Sequence, residues 1–154
     1  MGTFEDKAVV ITGGTSGIGK ATALAFSREG ANVVISGRRI SEGEKVVREI
    51  TSAGGNALFV RTDVNREEDI IALIEKTVET FGALHIAFNN AGSEGQQGLL
   101  TTEQTVEHYR QVCDTNALDE ARNPSHASLW RRCHREYFLT RGACRFSRSF
   151  GLCR

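Results

Sequence analysis

Between the apolar run Lys7-Ala8-Val9-Val10-Ile11 and the helix-compatible segment Lys20 to Phe26 lies Thr12-Gly13-Gly14-Thr15-Ser16-Gly17-Ile18-Gly19. This octapeptide limits what the chain can fold into more than any other feature. It reads as a strand, a glycine turn and a helix start, with glycine supplying positive φ and close backbone approach. The helix that follows presents N–H groups without intrahelical acceptors, which makes the turn a cradle for the phosphates of a dinucleotide. Gly13, Gly17 and Gly19 bring the backbone to the pyrophosphate, and the hydroxyls of Thr15 and Ser16 are placed to donate to phosphate oxygens. Thr12 and Ile18 complete the candidate set on this loop.

The same alternation continues along the chain. Ala31 to Ser36 reads as a second strand, Ser41 to about Ala53 as a helix closed by Gly54-Gly55, and Ala57 to Val60 as a third strand. Asp69 to Phe81 carries Ile70, Ile71, Leu73, Ile74 and Val78 at helical spacing, Leu84 to Phe88 is a fourth strand, and Thr102 to Ala117 is again helical. Strands alternating with amphipathic helices over short connections predict an α/β fold with a parallel sheet covered on both faces.

After Leu118 the pattern stops. Residues 1–118 carry 11 Lys and Arg against 16 Asp and Glu, whereas residues 119–154 hold eight arginines, no lysine and three acids. This tail has neither a helical nor a strand period. All four cysteines, Cys113, Cys133, Cys144 and Cys153, lie late in the chain, and none forms the close pair of a zinc or redox site. No metal is therefore expected. No apolar run is long enough to cross a membrane, and the acidic start at Glu5 and Asp6 is unlike a signal segment, so a cytoplasmic location is the expectation.

An ordered set of motifs gives residues 5–118 a close resemblance to the N-terminal half of a classical short-chain dehydrogenase/reductase. The set is Thr12-Gly13-x-x-x-Gly17-x-Gly19 after the first strand, Asp63-Val64 after the third, Asn89-Asn90-Ala91-Gly92 after the fourth, and Asn116 late in the following helix. The resemblance implies a Rossmann-like, doubly wound parallel sheet, truncated here after the fourth strand and its following helix. It implies that Asp63 accepts from the adenine amino group with Val64 against the ring, the reading the neighbouring motifs favour over a plain helix N-cap at Asp63. It implies that Asn89 to Gly92 leave room for the cofactor while their amides brace the sheet. Asn116 resembles the asparagine that holds a water in a proton relay, and a plain helix-end asparagine is the other reading. His85 stands where relatives often carry Asp, and reads as a partly buried structural histidine.

Members of this family that prefer NAD(H) usually carry an acid at the end of the second strand, where this chain has Ser36-Gly37-Arg38-Arg39. Guanidiniums grip a 2′-phosphate bidentately, so Arg38 and Arg39 favour NADP(H) over NAD(H). The family's chemistry moves hydride between the nicotinamide and an alcohol or ketone, with a Ser, a Tyr and a Lys in Y-x-x-x-K as acid-base machinery. That pattern is missing: Tyr137 is followed by Arg141, and no lysine follows Lys76. The chain is accordingly expected to be inactive, with residues 1–118 a dinucleotide-binding half and 119–154 an arginine-rich tail. Intact relatives are often dimers or tetramers, so the parent is expected to be a homo-oligomer.

The tail itself reads as out of frame. His134 to Thr140 can be encoded CAT CGT GAA TAC TTC CTC ACG, which one base later spells IVNTSS, resembling the family's fifth strand and catalytic-serine segment. An out-of-frame origin accounts for the arginines, which leaves nucleic-acid binding by the tail without support of its own. Loss of the second half leaves the normally central fourth strand as an edge, which implies marginal stability and a tendency to associate.

Overall fold

A computed structural model of the chain describes residues 2–93, 95 and 105–116. The first strand, β1 (Ala8–Thr12), is buried at every position, as expected of a parallel strand packed on both faces. It leads through the glycine turn into α1 (Gly17–Arg28), then β2 (Asn32–Gly37), α2 (Ile40–Ser52), β3 (Asn56–Arg61), α3 (Glu67–Phe81), β4 (Ile86–Asn89) and α4 (Val106–Asn116). Each is the element the sequence predicts, displaced by a residue or a few at its ends. The strands are all parallel in the order β3-β2-β1-β4. The chain therefore steps outward from β1 to β3 and returns to pair β4 on the other side of β1. That reversal opens a crevice at the C-terminal ends of β1 and β4.

Side-chain alternation along the strands divides the core in two. Val9, Ile11, Val33 and Ile35 pack with Ala23 of α1 and with Val46 and Ile50 of α2. Val10 and Val34 point the other way, onto Ile70, Leu73 and Ile74 of α3. Two glycines mark helix ends: Gly54 (φ 85°) follows α2, and Gly82 (φ 77°) closes α3 with its N–H donating to the Val78 carbonyl at 2.8 Å.

Two expectations need correction. Leu84 is not in the fourth strand; it is buried in the α3 core just ahead of it, and β4 begins at Ile86. Asp63 is not the N-cap of α3, a position taken by Arg66 without a side-chain cap. Among the described residues α4 begins at Val106, and the predicted start at Thr102 lies outside them, as do Ala117 and the whole 119–154 tail. Among the described residues β4 is an edge strand, with Ile86 and Phe88 half-buried against the core on the α1 side.

His85 ties that edge strand to β1. Its N–H donates to the Ala8 carbonyl at 2.9 Å, and its Nδ1 accepts from the Ala8 N–H at 3.0 Å. Only an imidazole with an unprotonated Nδ1 can accept. Burial, and then the charge of Lys7, hold its pKa below the ordinary 6.5. A lowered folded value means that the contribution of His85 to stability is full above 6.5 and is lost as pH falls through the folded pKa. Thermal melts of His85→Asn, which keeps an acceptor that does not titrate, are expected to show a smaller loss of Tm between about pH 7.5 and about pH 5 than the parent chain, by a few degrees. Parallel losses in the two proteins would remove His85 from the acid response.

Candidate functional site

The glycine turn and the segment after β4 form one hydrogen-bonded unit. Thr12, at the end of β1, is 3% exposed, and its Oγ1 accepts from the N–H groups of Asn90 at 3.0 Å and Ala91 at 3.1 Å. In return Asn90 Nδ2 donates to the carbonyls of Thr12 at 3.1 Å and Gly13 at 3.3 Å. This reciprocity explains both the threonine and the second asparagine. It also explains two glycines: Gly13 has φ 68° and lies so near Ala91 that a Cβ would stand 2.9 Å from its Cα, while a Cβ at Gly19 would collide with the Gly13 carbonyl and stand 2.6 Å from Asn90 Nδ2. Gly17 differs, with φ 53° and open space where a Cβ would be.

At the head of α1, Ser16 is the N-cap in extended conformation but makes no side-chain cap. Its Oγ instead accepts from the Arg39 guanidinium at 3.3 Å, across the crevice. The first-turn N–H groups of Gly17, Ile18 and Gly19 have no intrahelical acceptors and remain available to an anion.

Around this loop lies a cleft of about 330 Å³. Gly13, Thr15 and Ser16 form one wall, Gly37, Arg38 and Arg39 the next, Thr62 to Asn65 the third, and Asn90 to Gly92 with Thr115 the fourth. Of the residues expected from sequence, Gly13, Thr15, Ser16, Arg38, Arg39, Asp63, Val64, Asn90, Ala91 and Gly92 line it together. Thr12, Gly17, Ile18, Gly19, Asn89 and Asn116 do not. Thr12 and Gly19 act from behind the wall, Asn89 pairs in register with Thr12, and Ile18 is 73% exposed beside the turn.

Asn116 has a defined task. Its Oδ1 accepts from the Ser93 N–H at 2.7 Å, and its Nδ2 donates to the Ser93 carbonyl at 2.8 Å. The side-chain amide thus clamps the segment after Gly92 to α4. A second tie between α4 and the cleft, Asn65 Nδ2 to Thr115 Oγ1 at 3.1 Å, joins residues fifty positions apart. Gly37, Thr62, Asn65 and Thr115 were absent from the sequence-derived set. All four are chain neighbours of residues in it, but nothing local marks Asn65 and Thr115 as partners of each other. Among the described residues no three His, Cys, Asp or Glu gather as a metal site, and no helix is long and apolar enough to cross a membrane.

A family model described as short chain dehydrogenase matches residues 7–118. The cyclohexanol dehydrogenase of Acinetobacter sp. (strain SE19) is 44% identical over 113 residues, covering 73% of this chain and 45% of that protein. A 2,5-dichloro-2,5-cyclohexadiene-1,4-diol dehydrogenase of Sphingobium indicum is 40% identical over 116 residues, covering 75% and 45%. Among solved structures, the 3-ketoacyl-(acyl-carrier-protein) reductase from Brucella melitensis complexed with NADH superposes with a TM-score of 0.73 at 31% identity, over 90% of this chain and 52% of that one. The chain thus spans about half the length of the relatives it matches.

An alanine inside a helix is normally worth about 1 kcal/mol more than a glycine. Gly19→Ala is expected to reverse that sign, lowering stability in urea melts by about 2 kcal/mol because its Cβ meets the Gly13 carbonyl and Asn90. A neutral or stabilising Gly19→Ala would show that the loop and the segment after β4 are not held in this contact.

Proposed function

The chain belongs to the short chain dehydrogenase family, and on that premise we propose that its cleft binds a nicotinamide adenine dinucleotide, NADP(H) in preference to NAD(H). The residues present fit such a ligand. The pyrophosphate lies against the unpaired first-turn N–H groups of α1 and the hydroxyls of Thr15 and Ser16, where the open space beside Gly17 leaves room for it. Asp63 and Val64 take the adenine: one Asp63 carboxylate oxygen has no hydrogen-bond partner among the described residues, and neither has the Val64 N–H. An acceptor beside a donor complements the amino group and N1 of adenine.

The preference for the 2′-phosphate rests on Arg38 and Arg39. Both are exposed at the cleft, no carboxylate stands at the end of β2 to claim the ribose hydroxyls, and Arg39 already spans the crevice to Ser16. That Arg39–Ser16 contact is the observation that carries the reading, because it puts a cation within one hydrogen bond of the phosphate loop.

When bound, the nicotinamide supplies or accepts the hydride that interconverts an alcohol and a ketone. In the intact parent the substrate is a small alcohol or ketone, and the ring-alcohol names of two relatives support a cyclic one. The 154-residue chain holds and orients the dinucleotide but does not turn it over, since neither Tyr109 nor Tyr137 has a lysine four residues on. The halt of the family match at residue 118 supports reading 119–154 as out-of-frame sequence.

Fluorescence titration is expected to give a Kd for NADPH about tenfold below that for NADH, with the double variant Arg38→Ala, Arg39→Ala losing most of that ratio. Equal or tighter binding of NADH would overturn the NADP(H) assignment, and saturable binding of neither would overturn the cofactor reading.

A further inference from the structure

We infer that Asp69, on the first turn of α3, is the positioning residue that sets Asp63 and Val64 for adenine; the inference rests on the dinucleotide reading above. The β2–β3 ladder ends where the Thr62 N–H donates to the Gly37 carbonyl at 3.0 Å. Asp63 is the next residue, and no strand offers its N–H an acceptor. Asp69 Oδ2, on a side chain only 17% exposed, accepts from it at 2.8 Å.

The arrangement is unusual for a helix start. Arg66 is the N-cap, so Asp69 is the third helical residue, the one that in a capping box turns back to the N-cap N–H. Here it reaches six residues back instead, past its own helix. Glu67 and Glu68, the other acids of the turn, are exposed, and Glu68 is paired with Arg66.

Two further bonds complete the fixation of Asp63. Its carbonyl accepts from the Arg66 N–H at 3.0 Å, and its Oδ1 accepts from the Asn65 N–H at 3.1 Å. The N–H, the carbonyl and one carboxylate oxygen are therefore committed, which leaves the second oxygen and the adjacent Val64 N–H for the ligand. Without Asp69 the Asp63 N–H is a part-buried donor with no acceptor, and the peptide turns to satisfy it. That rotation moves the acceptor and the donor together, so Asp69 acts on base recognition and not on phosphate binding.

The test compares Kd for NADPH and for its analogue in which hypoxanthine replaces adenine, which lacks the amino group and carries a proton on N1. The parent chain is expected to prefer the adenine form. Asp69→Ala is expected to weaken NADPH about tenfold while leaving the hypoxanthine form near its parent value, so that the ratio falls toward one. Asp69→Asn, which keeps a carbonyl oxygen as acceptor, is expected to keep most of the ratio. Asp69→Glu keeps the charge but displaces the acceptor, and reads the same loss where the alanine variant does not fold. An unchanged ratio in Asp69→Ala and Asp69→Glu, or equal weakening of both ligands, would overturn the role of Asp69 alone. A parent chain that binds both ligands equally would overturn adenine recognition by Asp63, and one that binds neither would overturn the cofactor reading; the assignment of Asp69 falls with either.

Discussion

Thr12 and Asn90 hold the site together. Thr12 sits where β1 ends, and its hydroxyl oxygen terminates β4 by accepting two consecutive N–H groups, those of Asn90 and Ala91. Asn90 returns two donations to the backbone of the phosphate loop. Polar groups withdrawn from water are costly unless satisfied, and here each satisfies the other, which ties the end of β1 and the phosphate loop to the segment after β4. Gly13 and Gly19 then follow as requirements of that contact, because any Cβ at either position meets the partner segment.

The fold was legible in the sequence because parallel strands buried on both faces are nearly unbroken apolar runs, and β1 and β2 are such runs. The boundaries were less so. Leu84 looks like strand sequence because it is apolar, yet it belongs to the core under α3, and no local pattern separates the two uses. In the site, residues grouped by short motifs were visible as groups: the loop at 12–19, the pair at 38–39, the pair at 63–64 and the run at 89–92. What the motifs did not carry was the division of labour. The six expected residues outside the cleft lining, among them Thr12 and Asn116, include those that brace it. Asn65 with Thr115, and Asp69 with Asp63, were invisible because the geometry that pairs them is made by the fold and not by spacing along a helix or strand.

The matched half of the family fold contains one kind of work. On the reading proposed here, the phosphate loop, the arginines after β2 and the adenine wall after β3 all lie on the four described strands, so dinucleotide affinity is a property of this half. Acid-base chemistry requires groups that this chain's sequence does not supply in the family pattern. On that reading binding and turnover are separable, because the groups proposed to hold the dinucleotide are not those of the family's acid-base pattern. Among the described residues β4 is an edge strand, held to β1 by its ladder and by His85.

The most direct test of this account is a titration of the isotopically labelled 154-residue chain with NADPH, followed by amide resonances. Saturable shifts concentrated at Gly13 to Gly19, Arg38 and Arg39, Asp63 to Asn65 and Asn90 to Gly92 are the predicted result. Absence of saturable shifts, or shifts confined to residues outside these four segments, would contradict it.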